Sequence, residues 1–411
     1  MKNLLIIGFV WPEPNSTAAG SRMLQLISLF QKNSFTVTFV CAASKTTNSF
    51  NLERLKIQTF DILLNDSRFD SLIKKMNPNF VLFDRFLTEE QFGWRIAENC
   101  PEAIRILDTE DLHFLRNARQ VAHQKNTTVS LSDLMSDMAK REIASIYRCD
   151  LTLIISKYEI KLLKKTFKVD KSLLLYVPFL LNKIDLGTFH TYPTFQNRNH
   201  FISIGNFKHE PNWNSVQYLK TDIWPLIRKK LPEAEMLIYG AYATEKVLHL
   251  HNKKEGFIIK GWAETVEDVF TNARVCLAPL QFGAGLKGKL IDAMNFGTPS
   301  VTTRIGAEAM HHKLPWNGFV EDNPSEFALK AVELYSNEKL WENAQKNGIE
   351  IVNSCYSKEK YEKKLLNKIE NMQKNLVAHR LQNFIGSLLV HHTLKSTKYM
   401  SKWIEEKNKP L

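Results

Sequence analysis

The part of the chain that most constrains the fold is residues 275–303, VCLAPLQFGAGLKGKLIDAMNFGTPSVTT. Residues 275–280 are an apolar run of strand length. Residues 282–285 form a tight turn, with Gly283 and Gly285 placed where positive φ or close backbone approach costs little. Residues 286–295 have the pattern of a short helix, which Gly297 and Pro299 end. A β-branched run then opens the next strand. Strand, turn, helix and strand in this order predict a parallel sheet covered by helices.

The same turn suits an anion. The first N–H groups of a helix have no partner inside it, and the helix dipole favours negative charge above them. Lys287 falls in the expected first turn, where a cation opposes the dipole unless a phosphate lies nearby. Asp292, five residues on, is placed to accept two sugar hydroxyls. A diphosphate with hydroxyls beside it describes a nucleotide sugar. Spacing alone leaves a purely structural turn equally open, because strand–glycine–helix turns are common in α/β proteins.

The segment GAGLKGKLIDAMNFGTPSVTT resembles the donor site of the family 4 glycosyltransferases, of the glycosyl transferases group 1 type, which have the GT-B fold. That resemblance implies two Rossmann-like doubly wound domains facing a cleft. It also implies a donor site at Gly283, Ala284, Gly285, Leu286, Lys287 and Asp292. Asp292 stands where the family has the second glutamate of its E-x7-E pattern, and Ala284 stands where many members have the first. Residues 201–216 (FISIGNFKHEPNWNSV) resemble the family's first nucleotide-domain strand and the loop after it. There Gly205 is followed by Asn206 in place of the usual arginine, so Lys208 is expected to join Lys287 on the leaving diphosphate. Trp262 occupies the position that contacts the nucleotide base, and Glu308 lies in a loop close to the donor. Family members mostly transfer with retention and without a metal, so neither metal nor cofactor is expected.

The first half of the chain alternates in the same way. Residues 4–10, 35–42, 79–84 and 104–107 read as buried strands, with helical patterns between some of them. The first loop, residues 11–20, resembles the family's acceptor and phosphate loop through Gly20, and Arg22 just after it is a candidate anion contact. Residues 107–119 (LDTEDLHFLRNAR) set three acids and a histidine past a strand end, where ligands bind in such sheets. The residues alone leave two readings open. Either Asp111 and His113 touch the acceptor, or Asp108 and Asp111 cap the helix from Leu112. The family resemblance favours the first.

At 411 residues the chain is expected to hold two to three domains. The expected division is 1–182 on the acceptor side, a linker at 183–200, a nucleotide-sugar domain at 201–356, and helices at 357–411 that cross back to the first domain. Five scattered cysteines without a Cys-x-x-Cys suggest buried thiols rather than a disulfide framework or zinc site. The formal charge of +12 suits phosphate ligands first and an anionic membrane surface second, and no nucleic-acid motif accompanies it. The N-terminus reads as a strand rather than a signal peptide. A cytoplasmic enzyme is expected, at most peripheral on the membrane, acting on a glycan or lipid-linked glycan in polysaccharide biosynthesis. A non-catalytic nucleotide-sugar-binding subunit and a sugar-nucleotide epimerase of the same fold remain as alternatives. Beyond Asn375 the segment FIGSLLV and its basic flanks suit either a membrane-surface helix or packing on the first domain, with packing favoured.

Overall fold

The computed structural model describes residues 2–409, apart from the side chains at 393 and 394; the last two residues of the expected C-terminal segment lie outside it. Two wholly parallel sheets form. The first contains β1 (Lys2–Gly8), β2 (Phe35–Cys41), β3 (Gln58–Asp61), β4 (Phe80–Asp84), β5 (Ile104–Asp108), β6 (Leu151–Ile154) and β7 (Leu174–Tyr176), in the order β3-β2-β1-β4-β5-β6-β7. The second contains β8 (Asn199–Ile204), β9 (Met236–Tyr239), β10 (Phe257–Gly261), β11 (Ala273–Ala278), β12 (Ser300–Thr302) and β13 (Gly318–Val320), in the order β10-β9-β8-β11-β12-β13. Both are doubly wound, with the strand order reversing between β1 and β4 and again between β8 and β11.

Alternate residues of β1 explain its unbroken apolar sequence. Leu4 and Ile6 enter one core with helix Ala18–Lys32, while Leu5 and Ile7 enter another on the opposite face. A strand buried on both faces needs no polar alternation. The first core also takes Tyr361, Leu365, Ile369 and Met372 from helix Lys358–Lys374, which therefore packs on the first domain. The helix before it, Glu338–Cys355, packs with the second domain through Trp341, Ala344 and Ile351.

The chain passes between domains twice, and the two crossings lie side by side. Leu181 N–H donates to the Tyr356 carbonyl at 2.9 Å, and Lys358 N–H donates to the Leu181 carbonyl at 2.9 Å. The linker region is not structureless: it holds a helical turn at Leu186–Thr191 before β8 begins. Arg198 fastens its end to the second domain by donating to the carbonyls of Pro193, Phe270 and Phe296. Residues 214–230 read from the sequence as a helix with a kink or boundary at Trp224–Pro225, and a boundary lies there. A π-helical turn, Leu219–Ile223, precedes helix Trp224–Lys230, because proline at the second position lacks the N–H an unbroken helix would need.

Candidate functional site

The two strand-order reversals face each other, so the loops at their carboxyl ends meet. From the first domain come the loop after β1, Asp84 and Arg85 after β4, and residues 109–112 after β5. From the second come residues 205–209 after β8 and 280–287 after β11. Helix Gly288–Asn295 begins two residues later than the sequence suggested, so Lys287 is its N-cap rather than part of its first turn. Its N-terminus points at that of helix Ala18–Lys32: a Cβ on Gly288 would lie 2.4 Å from the Ala18 methyl. Two positive helix ends thus converge on one crevice.

Lys287 is buried, and its Nζ donates to the carbonyls of Ala284 (3.1 Å) and Gly285 (3.0 Å). Burial lowers its pKa to about 8, with Glu308 opposing the shift. Lys289 is lowered to about 8 by the same cause. Asp292 sits one turn from Gly288 on the same helix face, and burial raises its carboxyl to about 7. Ala284 packs into the first domain's core, and Leu286 into a cluster that joins Ile155 and Phe179 to Leu290 and Met294, so their side chains wedge the loop between the domains.

The first domain holds that loop by long-range contacts. Arg119 donates to the Gly283 carbonyl at 2.7 Å and pairs with Glu308 through two 2.8 Å bonds. Glu159 Oε1 accepts from Gly285 N–H at 2.8 Å and from Leu112 N–H at 3.1 Å. Burial, then the neighbouring Asp111, raises Glu159 to about 7. Gly285 has φ +64°, and its Cα faces Asp111 so closely that a Cβ would lie 2.8 Å from the Asp111 Cβ. At the mouth, Tyr242 Oη donates to Glu13, and Asn15 Nδ2 donates to the Glu264 carbonyl at 2.9 Å.

Asp111 is paired with Arg116 and lies 3.5 Å from His113 Nε2. Burial works to raise its pKa, but Arg116 and His113 outweigh that and hold it at about 2. Burial lowers His113 to about 4, against the pull of Asp111, and its ring meets Phe86 edge-on. Neither Asp108 nor Asp111 caps the helix that follows, His113–Gln124. Glu142, from another helix, accepts from His113 N–H at 3.2 Å and Phe114 N–H at 3.1 Å.

Several expected residues take other places. Arg22, expected as an anion contact, has Asp108 as its anion. It is fully buried, bonded to Asp108 (Nε to Oδ1 3.1 Å, Nη2 to Oδ1 2.8 Å) and to the carbonyls of Val177 and Pro178. Gly20 lies beneath the Glu13 backbone, 2.5 Å from where its Cβ would be, which fixes the first loop. Lys208, expected beside Lys287, instead rests its Nζ 3.7 Å from the centre of the Tyr242 ring. Asn206 closes its own turn, its Oδ1 accepting from Lys208 N–H at 2.9 Å, and Gly205 leaves room for Asn212. Trp262 follows Gly261 and is half exposed, with its ring open to a ligand. Sequence reasoning missed Arg116, Arg119, Glu159 and His209. Burial, then Arg116, lowers the pKa of His209, and Lys287 and Lys289 act on it too. Only their charge in a loop or helix start was visible.

Residues 198–337 match the family model described as Glycosyl transferases group 1. The second domain is a glycosyl transferases group 1 domain. A search of curated proteins finds no match to the chain. Among solved structures, the chain resembles the sucrose-phosphate synthase of Thermosynechococcus elongatus at 14% identity and TM-score 0.67, covering 90% of this chain and 99% of that one. A glycosyltransferase of Rickettsia africae matches at 13% identity and TM-score 0.64, with 91% and 99% covered. Anabaena HepE in complex with UDP and glucose matches at 9% identity and TM-score 0.66, with 90% and 100% covered. The fold is therefore that of the GT-B glycosyltransferases.

Proposed function

We propose that the protein is a glycosyltransferase that moves a sugar from a nucleoside-diphosphate sugar to an acceptor hydroxyl, with the donor on the second domain and the acceptor on the first. The observation that carries this reading is the convergence of two helix N-termini and Lys287 on one crevice, with Lys289 one residue inside the second helix. The leaving diphosphate gains charge as the sugar departs, and cations and N–H groups fixed there before reaction stabilise that charge without reorganising. Lys287, lowered to about 8, is still mostly cationic at neutral pH. The exposed Trp262 ring is placed to stack on the base, and Asp292 to accept hydroxyls. A UDP donor is one candidate, since UDP occupies the Anabaena relative. Metal independence follows in this reading from the lysines and helix end acting where a divalent ion otherwise would.

On the acceptor side, three buried carboxylate oxygens have no hydrogen-bond partner among the described residues: Asp84 Oδ1, Glu110 Oε1 and Glu159 Oε2. Glu110 and Arg85 also hold positive φ, 60° and 69°, a strain that concentrates at functional sites. These groups, with neutral His113, form the polar floor offered to a polyhydroxylated acceptor such as a glycan or lipid-linked glycan. Retention at the anomeric carbon rests on the resemblance of residues 283–303 alone, and the anomeric configuration of the product by NMR decides it. Action in the cytoplasm on polysaccharide precursors belongs to the same reading.

A second reading, a binding subunit without catalysis, is favoured by one observation: Lys208 lies on Tyr242, so the loop after β8 presents His209 rather than a permanent cation. The test is a thermal-shift panel of UDP, GDP, ADP, CMP and their sugar conjugates, with and without magnesium. A ligand well above its dissociation constant raises Tm. We expect a metal-independent rise with one diphosphate, lost in Lys287→Ala, together with slow hydrolysis of its sugar conjugate. Binding without hydrolysis or transfer would establish the binding subunit. No shift with any nucleotide would overturn the donor site.

A further inference from the structure

The C-terminal helix is packed the wrong way round for a helix that ends at its own domain. It runs Phe384–Lys407, about 36 Å at 1.5 Å per residue, against helices Arg85–Asn99 and Asp137–Arg148 of the first domain. The face it turns inward is largely small and polar, beside the half-buried Leu389, Val390 and Ile404. Gly386 sits against the Tyr147 carbonyl, 2.2 Å from where its Cβ would be. Ser401 Oγ accepts from Arg95 Nη2 at 3.0 Å and donates to Asn65 Oδ1 at 3.1 Å, Glu405 pairs with Arg95, and Lys398 bonds Glu98 at 2.6 Å. Its large apolar residues face outward: Phe384 is 74% exposed, Leu388 46%, Tyr399 68% and Trp403 60%. At 100° per residue these four and Ile385 fall within an arc of about 100°. Just before the helix, Val377 and Leu381 are also exposed. A helix fastened by ion pairs, with its hydrophobic side in water, is built to meet something else.

We propose that this face docks on an anionic lipid bilayer. Two features favour a bilayer over other occupants. Lys395 and Lys402 are exposed on the same arc as Phe384, Leu388 and Tyr399, with His391 and His392 beside them. The only acid on that arc among the described residues, Glu406, is bonded to Lys409 at 2.5 Å. Trp and Tyr with an apolar body and polar tip, interleaved with lysines whose stems lie along apolar surface, suit the headgroup boundary. A second copy of this chain is a poor occupant, since pairing the two arcs would set lysine against lysine. Among the described residues no helix is long and apolar enough to cross a membrane, so the helix lies on the surface. The formal charge of +12 adds to the attraction at longer range. Docking in this way lays the first domain against the bilayer, and it does not depend on the catalytic reading.

The test is flotation of the full chain with vesicles of phosphatidylcholine, with and without phosphatidylglycerol, and no nucleotide present. We expect binding to the anionic vesicles that weakens with salt. Lys395→Gln and Lys402→Gln should each reduce partitioning about fivefold. The triple variant Phe384→Ser, Leu388→Ser, Trp403→Ser should reduce it by at least about tenfold. All of these side chains are solvent-exposed, so the variants should keep the parent Tm, and a melt of each checks this. Flotation with neither vesicle overturns the proposal. Equal, salt-insensitive binding to both vesicles overturns its charge selectivity. Self-association in sedimentation, abolished by the triple variant and without flotation, assigns the face to a second copy instead.

Discussion

The loop of residues 281–287 and the first-domain face of residues 108–119 meet across one crevice, yet they are built in opposite ways. The loop's own turns are set locally, by glycines at the positive-φ positions, a lysine bonded back to carbonyls two and three residues away, and a helix directly after, and the first domain then holds it through Arg119 and Glu159. The first-domain face is held from afar. Glu142 caps the helix from a separate element, Glu159 reaches Leu112 and Gly285, and Arg119 reaches Glu308. A locally built turn sets a helix N-terminus and a lysine where a ligand part common to many donors can meet them. A face assembled from distant side chains is free to differ, and acceptor recognition needs that freedom.

The largest effect expected of a single substitution is at the foundation of the first-domain face. Arg22→Met leaves Asp108 buried without its partner. Breaking such a pair costs about 3–5 kcal/mol, which urea unfolding monitored by circular dichroism should register as a lower midpoint at unchanged slope. A variant of native stability would show that Asp108 has another partner. On the other side, Lys287→Ala should lower kcat by about 10²–10³, the usual loss for one fixed charge-stabilising group. The bonds it removes are to the buried carbonyls of Ala284 and Gly285, so a melt must show the variant folded at the assay temperature. Equal kcat in the variant would transfer the role to Lys289.

This difference in construction also explains what the sequence revealed. The alternation of apolar runs with helical patterns made both sheets legible, and the 283–303 segment marked the crevice, because those signals are periodic or contiguous. Lys208 and Arg22 make contacts that the sequence did not specify, for one reason. A cation near a strand end reads the same whether it faces a ligand, a tyrosine ring or a buried carboxylate, and only tertiary contacts decide among these. Glu159 and Arg119 were not legible at all. Their partners, Gly285 and Glu308, lie 126 and 189 residues away. Helix Arg85–Asn99 and strand β13 escaped notice too, the latter because three residues are too short to show a period.

Where the two regions touch, Gly285→Ala should cost about 1–3 kcal/mol from its positive φ alone. It also presses a methyl against Asp111. We expect the added contact to open the crevice, so that the Michaelis constant for the donor rises by more than the fall in Tm implies. A drop in Tm with an unchanged Michaelis constant would mean that the close approach is structural only.

The smallest effect depends on pH and isolates a single contact between the regions. Glu159 titrates at about 7 in the folded protein against 4.5 as a free group, chiefly because burial disfavours its charge. Its folded pKa is raised, so its contribution to stability is complete below pH 4.5 and is lost as pH rises through 7. Glu159→Gln fixes the uncharged form at every pH while keeping an oxygen for Leu112 and Gly285. Any penalty from the new amide is constant, because glutamine does not titrate. The stability difference between parent and variant should therefore shift in favour of the variant from pH 5 to 8, by at most about 1.4 kcal/mol per unit. Titrations of Asp292, Glu142, His113 and His209 are common to both proteins and cancel in that difference. A difference that stays flat over the interval would mean that Glu159 meets water, and that the first domain holds the second domain's loop less tightly than its hydrogen bonds suggest.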